Sequence, residues 1–137
     1  RKGANVQSII RKGMNREILF RGKSIQNGKW LHGNIQIPEA PYDEYFMWDN
    51  GWQMQVDPDT IGQYTGLIDK NGKKIFEGDI IESKRYRHIV MYDKNLAGFC
   101  SANVKYPEDL CGLNQQWINE CGKVVVGNVT DNPELLK

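Results

Sequence analysis

A mainly β fold, built from small antiparallel sheets joined by several hairpins, is predicted by two observations in this sequence. Short apolar runs are broken by the turn dipeptides Asn27-Gly28, Asn50-Gly51 and Asn71-Gly72, with further glycines at 33, 62, 66 and 78. Asn-Gly meets the positive φ of a tight hairpin turn at low steric cost. The second observation is alternation. Trp52, Met54 and Val56 interleave with Gln53, Gln55 and Asp57, as in a strand with one face inward and one in water.

Taken in order, Arg1 to Gly13 shows no strong periodicity and ends on Arg11-Lys12-Gly13, just before Met14. Met14 reads as the native start, so residues 1–13 are expected to be a non-native or disordered leader and residues 14–137 a single β domain. From Ile18 onward the hairpin signals take over, with His32 inside the first, between Leu31 and Gly33. Ile80-Ile81 is predicted to open a strand that runs on through Tyr86 to Tyr92, and Lys123 to Val129 to form the last one. Short helical turns are expected at two places. Pro107-Glu108-Asp109 would open one carrying Leu110, Leu113 and Trp117 on one side. Asn132-Pro133-Glu134 would close the chain, with a cap residue, a proline at the first position and an acid near the positive end of the dipole.

A length of 137 residues suits one core. No apolar run approaches the roughly 18 residues of a membrane helix, so a cytosolic setting is the expectation. Cys100, Cys111 and Cys121 are odd in number and widely spaced, which favours reduced thiols over a disulfide framework. The net charge of +1 hides an asymmetry: seven basic residues against Glu17 give the first 23 residues +6, and 11 basic against 16 acidic residues give the rest −5. A body of that sign has no general attraction for nucleic acid.

The stretch Thr60 to Ile80, TIGQYTGLIDKNGKKIFEGDI, and the tail Val126 to Leu136, VGNVTDNPELL, resemble the YopX family of phage and prophage proteins. Met14 to Lys23, followed by Gly28-Lys29-Trp30 and Gly33, resembles that family's N-terminus. Ser83 to Cys121 carries no resemblance. The resemblance implies a phage or prophage protein, in the cytoplasm of a bacterial host, with a strongly bent, barrel-like β fold for which an SH3-like form is one candidate. It implies no activity.

Each residue of the family motif also has a structural reading. Gly62-Gln63-Tyr64-Thr65-Gly66, Asn71-Gly72 and Glu77-Gly78-Asp79 read as hairpin and turn chemistry, as do Gly127-Asn128 and Asn132-Pro133-Glu134 in the tail. The Asn71-Gly72 turn is expected to set Ile68 opposite Ile75, to pair Asp69 with Lys74 and to deliver Ile80 and Ile81 into the core. No glycine is followed by the lysine and hydroxyl of a phosphate loop. The three cysteines with His88 would make four zinc ligands, but structural zinc uses closely spaced pairs, so no cofactor is expected. Asp43, Glu44, Asp49, Asp57 and Asp59 could gather around a divalent metal, although Asp57-Pro58-Asp59 reads better as a turn. His32 and His88 are the only imidazole bases, and no nucleophile motif accompanies them.

Two binding patterns remain. Lys84-Arg85-Tyr86-Arg87-His88 joins cations to an aromatic ring, as a single-strand nucleic-acid site would, yet a charged edge strand accounts for it as well. Trp30, Trp48, Trp52 and Tyr45, with Tyr42 and Phe46, serve either a core or a protein interface, and joint exposure of the rings decides between them. The leading expectation is a non-enzymatic accessory protein that binds a phage or host protein or self-associates. Nucleic-acid binding through Lys84 to His88 and a divalent-metal hydrolase using Asp43 to Asp59 are the alternatives.

Overall fold

A computed structural model describes Gly3, residues 5–84 and residues 86–137, with the Met14 side chain outside the description. The order is α1 (Val6–Met14), β1 (Phe20–Ser24), β2 (Trp30–Gly33), β3 (Ile35–Gln36), β4 (Tyr45–Asp49), β5 (Trp52–Ile68), β6 (Lys74–Phe76) and β7 (Asp79–Ser83). There follow β8 (Tyr86–Asp93), β9 (Gly98–Asn103), β10 (Leu110–Gly112), α2 (Gln115–Cys121), β11 (Val124–Asn128) and a 3-10 turn, Pro133–Leu136. The fold is mainly β, as predicted.

Two antiparallel sheets share the chain. One runs β2-β1-β5-β4-β3 with β6 beside β5; the other runs β10-β9-β8-β7-β11. Neither ladder closes on itself, so the barrel-like and SH3-like forms are not what the pairing gives. The bend is local instead. Arg21 pairs with Gly62 but Lys23 with Asp57, so β5 bulges through 57–62, where the Asp59 N–H donates to Asp57 Oδ1 at 3.0 Å. Asp57-Pro58-Asp59 is therefore a turn within a strand.

The Asn50-Gly51 turn has both residues at positive φ and joins Asp49 to Trp52 directly. At Asn71-Gly72 only the glycine has positive φ, and two expectations fail. Ile68 pairs with Lys74 and is exposed, while Ile75 is fully buried. Asp69 does not pair with Lys74, which reaches Glu17 instead. Buried Asp69 accepts the N–H groups of Asn71 and Lys73 at 2.8 and 2.9 Å on one oxygen and of Val125 at 2.9 Å on the other. It thereby ties the turn to β11.

Two cores result. Leu31, Met47 and Val56 fill the first sheet's inner face, while Ile75, Ile81, Val90 and Ile118 lie between the second sheet and α2. Each such side chain contributes roughly 1.5–3 kcal/mol on burial. Ile80 and Ile81 are both fully buried, as expected.

Three other elements differ from expectation. Residues 80–92 form two strands, because Lys84 adopts φ 51° in a turn that lets Ser83 pair with Tyr86. The helix expected at Pro107 begins at Gln115, where the Asn114 side chain caps the Trp117 N–H at 2.8 Å, and Leu110 lies in β10. Gly112, a poor helix former, falls in that strand. At the N-terminus, where no element is predicted, Asn5 and Ser8 form a capping box that starts α1. The closing turn at Pro133 is as expected.

Candidate functional site: a basic groove beside the β7–β8 turn

The run Lys84 to His88 is divided by the fold. β8 lies between β7 and β9, so the edge-strand reading fails. His88 points into the core and Arg85 lies outside the described residues. Lys84, Tyr86 and Arg87 line a groove of about 240 Å³, whose remaining wall comes from Asn103, Lys105, Tyr106, Leu135 and Lys137 among others.

Each wall has a local cause. Arg87 faces Glu82 across the β7–β8 ladder and forms an ion pair with it, while its Nη1 donates to Leu135 O at 3.4 Å. Val104 N–H donates to Arg87 O at 3.0 Å, which brings the end of β9 alongside. Asn103 Oδ1 then accepts the Lys105 N–H at 2.9 Å and the Tyr106 N–H at 3.4 Å, curling that segment over the groove. Among the described residues, Lys84, Lys105 and Lys137 form no ion pair, whereas Glu82, the carboxylate lining the groove, is taken up by Arg87. Tyr86 and Tyr106 are 56% and 57% exposed. Lys105, Tyr106 and Lys137 were not legible as site residues, because only the β8–β9 pairing and the closing turn bring them to Lys84.

A second polar cluster lies under α2. Lys123 is 2% exposed, with Nζ 3.2 Å from His88 Nδ1, 3.5 Å from Tyr86 O and 5.1 Å from the Trp117 ring centroid. His88 Nε2 is 3.8 Å from Cys111 Sγ, and its ring meets Trp117 edge-on. Burial, and then the Lys123 charge, holds the His88 imidazole down at about 4, so it is neutral at pH 7. Burial also lowers the Lys123 ammonium from its ordinary value, against opposing effects of Cys121, Cys111 and Glu82. Nothing in the sequence marks Lys123 as a buried amine.

A third cluster joins the sheets. The Arg21 guanidinium lies between the Trp30 and Phe76 rings, 4.9 and 5.0 Å from their centroids, with Nη1 2.8 Å from Asp79 Oδ1. That approach is an ion pair outside hydrogen-bond geometry, since among the described residues Oδ1 and Arg21 Nε both lack a hydrogen-bond partner. Asp79 Oδ2 accepts the Phe76 N–H at 2.7 Å. Burial raises the Asp79 carboxyl, opposed chiefly by Arg21. Nearby, Asp131 accepts from Lys23 Nζ at 2.5 Å and Trp30 Nε1 at 2.6 Å, fastening the tail to the first sheet. Gly127 is required there: a Cβ would sit 2.4 Å from Asn132 Oδ1, which accepts the Asn128 N–H at 3.1 Å.

The other candidates do not converge. Asp43 and Glu44 are exposed before β4, Asp49 ends β4, and Asp57 and Asp59 lie in the bulge. Among the described residues no three His, Cys, Asp or Glu side chains gather as a ligand set. Cys100 and Cys111 stand on opposite faces of the second sheet, since Cys111 is opposite Ser101 and Gly112 is opposite Cys100. Trp48 and Trp52 are 50% and 75% exposed, but Trp48 pairs with Gln53 and Trp52 with Asp49, so their rings take opposite faces of the hairpin. Trp30 and Tyr45 are half-buried.

The two open sheets define a mainly β protein with a basic, aromatic-lined groove at the side of the second sheet. A family model described as YopX protein matches residues 15–137, and the chain belongs to that family. Among solved structures it is similar to protein EF1440 from Enterococcus faecalis, at 26% identity and a TM-score of 0.57 over 90% of this chain and 100% of that one. No curated protein matches. No helix among the described residues is long and apolar enough to cross a membrane.

Proposed function

We propose that this protein is a non-enzymatic binding module of phage or prophage type, acting in the host cytoplasm, that holds a single strand of nucleic acid in the groove beside the β7–β8 turn. One observation carries this: Tyr86 and Tyr106, both more than half exposed, share a concavity with Lys84, Lys105 and Lys137. Bases stack on such rings while ammonium groups track the phosphates. The chain's 18 basic and 17 acidic residues nearly cancel, so net charge supplies little general attraction and the groove must supply it locally.

Fluorescence anisotropy with an oligothymidylate of roughly ten nucleotides tests the reading. Three lysine–phosphate contacts predict a fall of log K with log salt of slope about −2, and Lys84→Ala or Lys105→Ala should each flatten it by about 0.7. Tyr86→Ala should cost about 1–3 kcal/mol of affinity. Absence of binding at low salt, or binding indifferent to these substitutions, would overturn it. A protein partner or self-association would then return as the stronger reading, supported by exposed Trp52 and by Tyr42, 72% exposed beside the cleft of Ile37, Glu44 and Phe46.

A further inference from the structure

We propose that Cys111 is a modification site, a nucleophilic thiol activated by His88 and Lys123, which forms a mixed disulfide with small-molecule disulfides. Three observations carry it. First, His88 Nδ1 lies 3.2 Å from the Lys123 ammonium, which has only donors. Nδ1 must therefore accept, so the ring proton sits on Nε2 and faces Cys111 Sγ at 3.8 Å. A donor against the sulfur with a cation behind it stabilises the negative charge that passes through sulfur during nucleophilic attack. Second, Lys123 is buried without a carboxylate of its own, because Glu82, the carboxylate that acts on it, is paired with Arg87. That buried cation acts on both Cys121 and Cys111, so what sets Cys111 apart is the His88 donor at its sulfur. Third, Ser101 stands directly opposite Cys111 in the β9–β10 ladder, and its fully buried hydroxyl has no hydrogen-bond partner among the described residues. That hydroxyl is an unused donor on the same face of the ladder as the Cys111 side chain.

Access is available, since Cys111 is half-buried in the edge strand β10. In the reaction the Cys111 thiol loses its proton to solvent and the sulfur attacks one sulfur of the disulfide. The new S–S bond forms as the old one breaks, and the departing thiolate takes a proton from solvent. Cys111 is oxidised and the released half of the disulfide is reduced. Imidazole and ammonium keep their protons.

The chain contains its own reference, because Cys121 is exposed at the end of α2 whereas Cys100 is fully buried. The native protein is treated at pH 7 with limiting iodoacetamide and, separately, with oxidised glutathione, and adducts are located by peptide mass spectrometry. Cys111 should react on the order of tenfold faster than Cys121 despite its lower exposure. His88→Phe, which removes the donor at Cys111 and leaves Lys123 facing Cys121, should erase that preference, as should unfolding the wild type in denaturant. Faster labelling of Cys121 in the native wild type, or a Cys111 preference that survives unfolding, would overturn the proposal. The wild-type comparison is decisive even if His88→Phe fails to fold. No nucleic acid is involved, so the result is independent of the groove.

Discussion

Asp69 shows how one side chain can specify a turn and a sheet connection together. Its two oxygens accept three backbone N–H groups, two within the Asn71-Gly72 turn and one on β11. Asp69→Ala leaves those donors without a partner inside a buried site, and the loss should be on the order of 3 kcal/mol in denaturant unfolding. Gly72 acts differently. At φ +84° with no heavy atom within 4 Å of an added Cβ, it is constrained by backbone conformation alone, so Gly72→Val should cost about 1–2 kcal/mol. Lys73→Ala, which removes only an exposed side chain, should change little. Equal losses from Gly72→Val and Lys73→Ala would mean that the turn is not set by backbone geometry. His88 adds a pH dependence. Unfolded, it takes a proton below about 6.5; folded, it does so only below about 4. Between these values unfolding takes up a proton, so stability should fall by up to about 3 kcal/mol as pH drops from about 6.5 to about 4. The raised carboxyl of Asp79 acts in the opposite sense, because protonating it in the folded state is favourable there. The difference between wild type and His88→Gln across this range therefore isolates the histidine, and two parallel curves would refute its assignment.

At the scale of elements, legibility follows how local the cause is. The turn at Asn50-Gly51 could be read because two residues alone set its geometry, and Pro133 marked the closing turn for the same reason. The strand running from Ile80 to Tyr92 was misread because the break rests on Lys84 at φ 51°, a conformation without a strong residue signature at lysine. The acid-rich start at Pro107 looked like a helix, yet Leu110 to Gly112 pair with β9 and the Asn114 cap begins α2 later. Ladder pairing overrode local preference. The groove was half legible. Lys84 and Tyr86 stand out as a cationic and aromatic pair, but Lys105 and Tyr106 join them only through the β8–β9 register, which no local spacing encodes. Edge or centre is likewise a property of the whole sheet, so the position of β8 could not be read from its charges.

At the scale of the molecule, the two sheets are linked through a buried ion pair placed between aromatic rings. Arg21 comes from the N-terminal resemblance and Asp79 from the central one, so segments far apart in the chain meet at the point where the sheets join. The pair costs desolvation on both sides, and the hydrogen-bond capacity of Arg21 Nε and Asp79 Oδ1 is left unused. Its net contribution to stability is therefore expected to be small, whereas breaking it should be costly. Arg21→Met keeps an unbranched stem between Trp30 and Phe76 but leaves the Asp79 carboxylate buried without its cation, and should destabilise by about 3–5 kcal/mol. Adding Asp79→Asn removes the stranded charge while retaining an oxygen for the Phe76 N–H, so the double variant should recover much of that loss. Denaturant unfolding of the wild type, both single variants and the double variant measures the coupling directly. If the double variant were as unstable as the sum of the two single ones, the pair would not be coupled, and the join between the sheets would rest on the Trp30–Arg21–Phe76 stack alone.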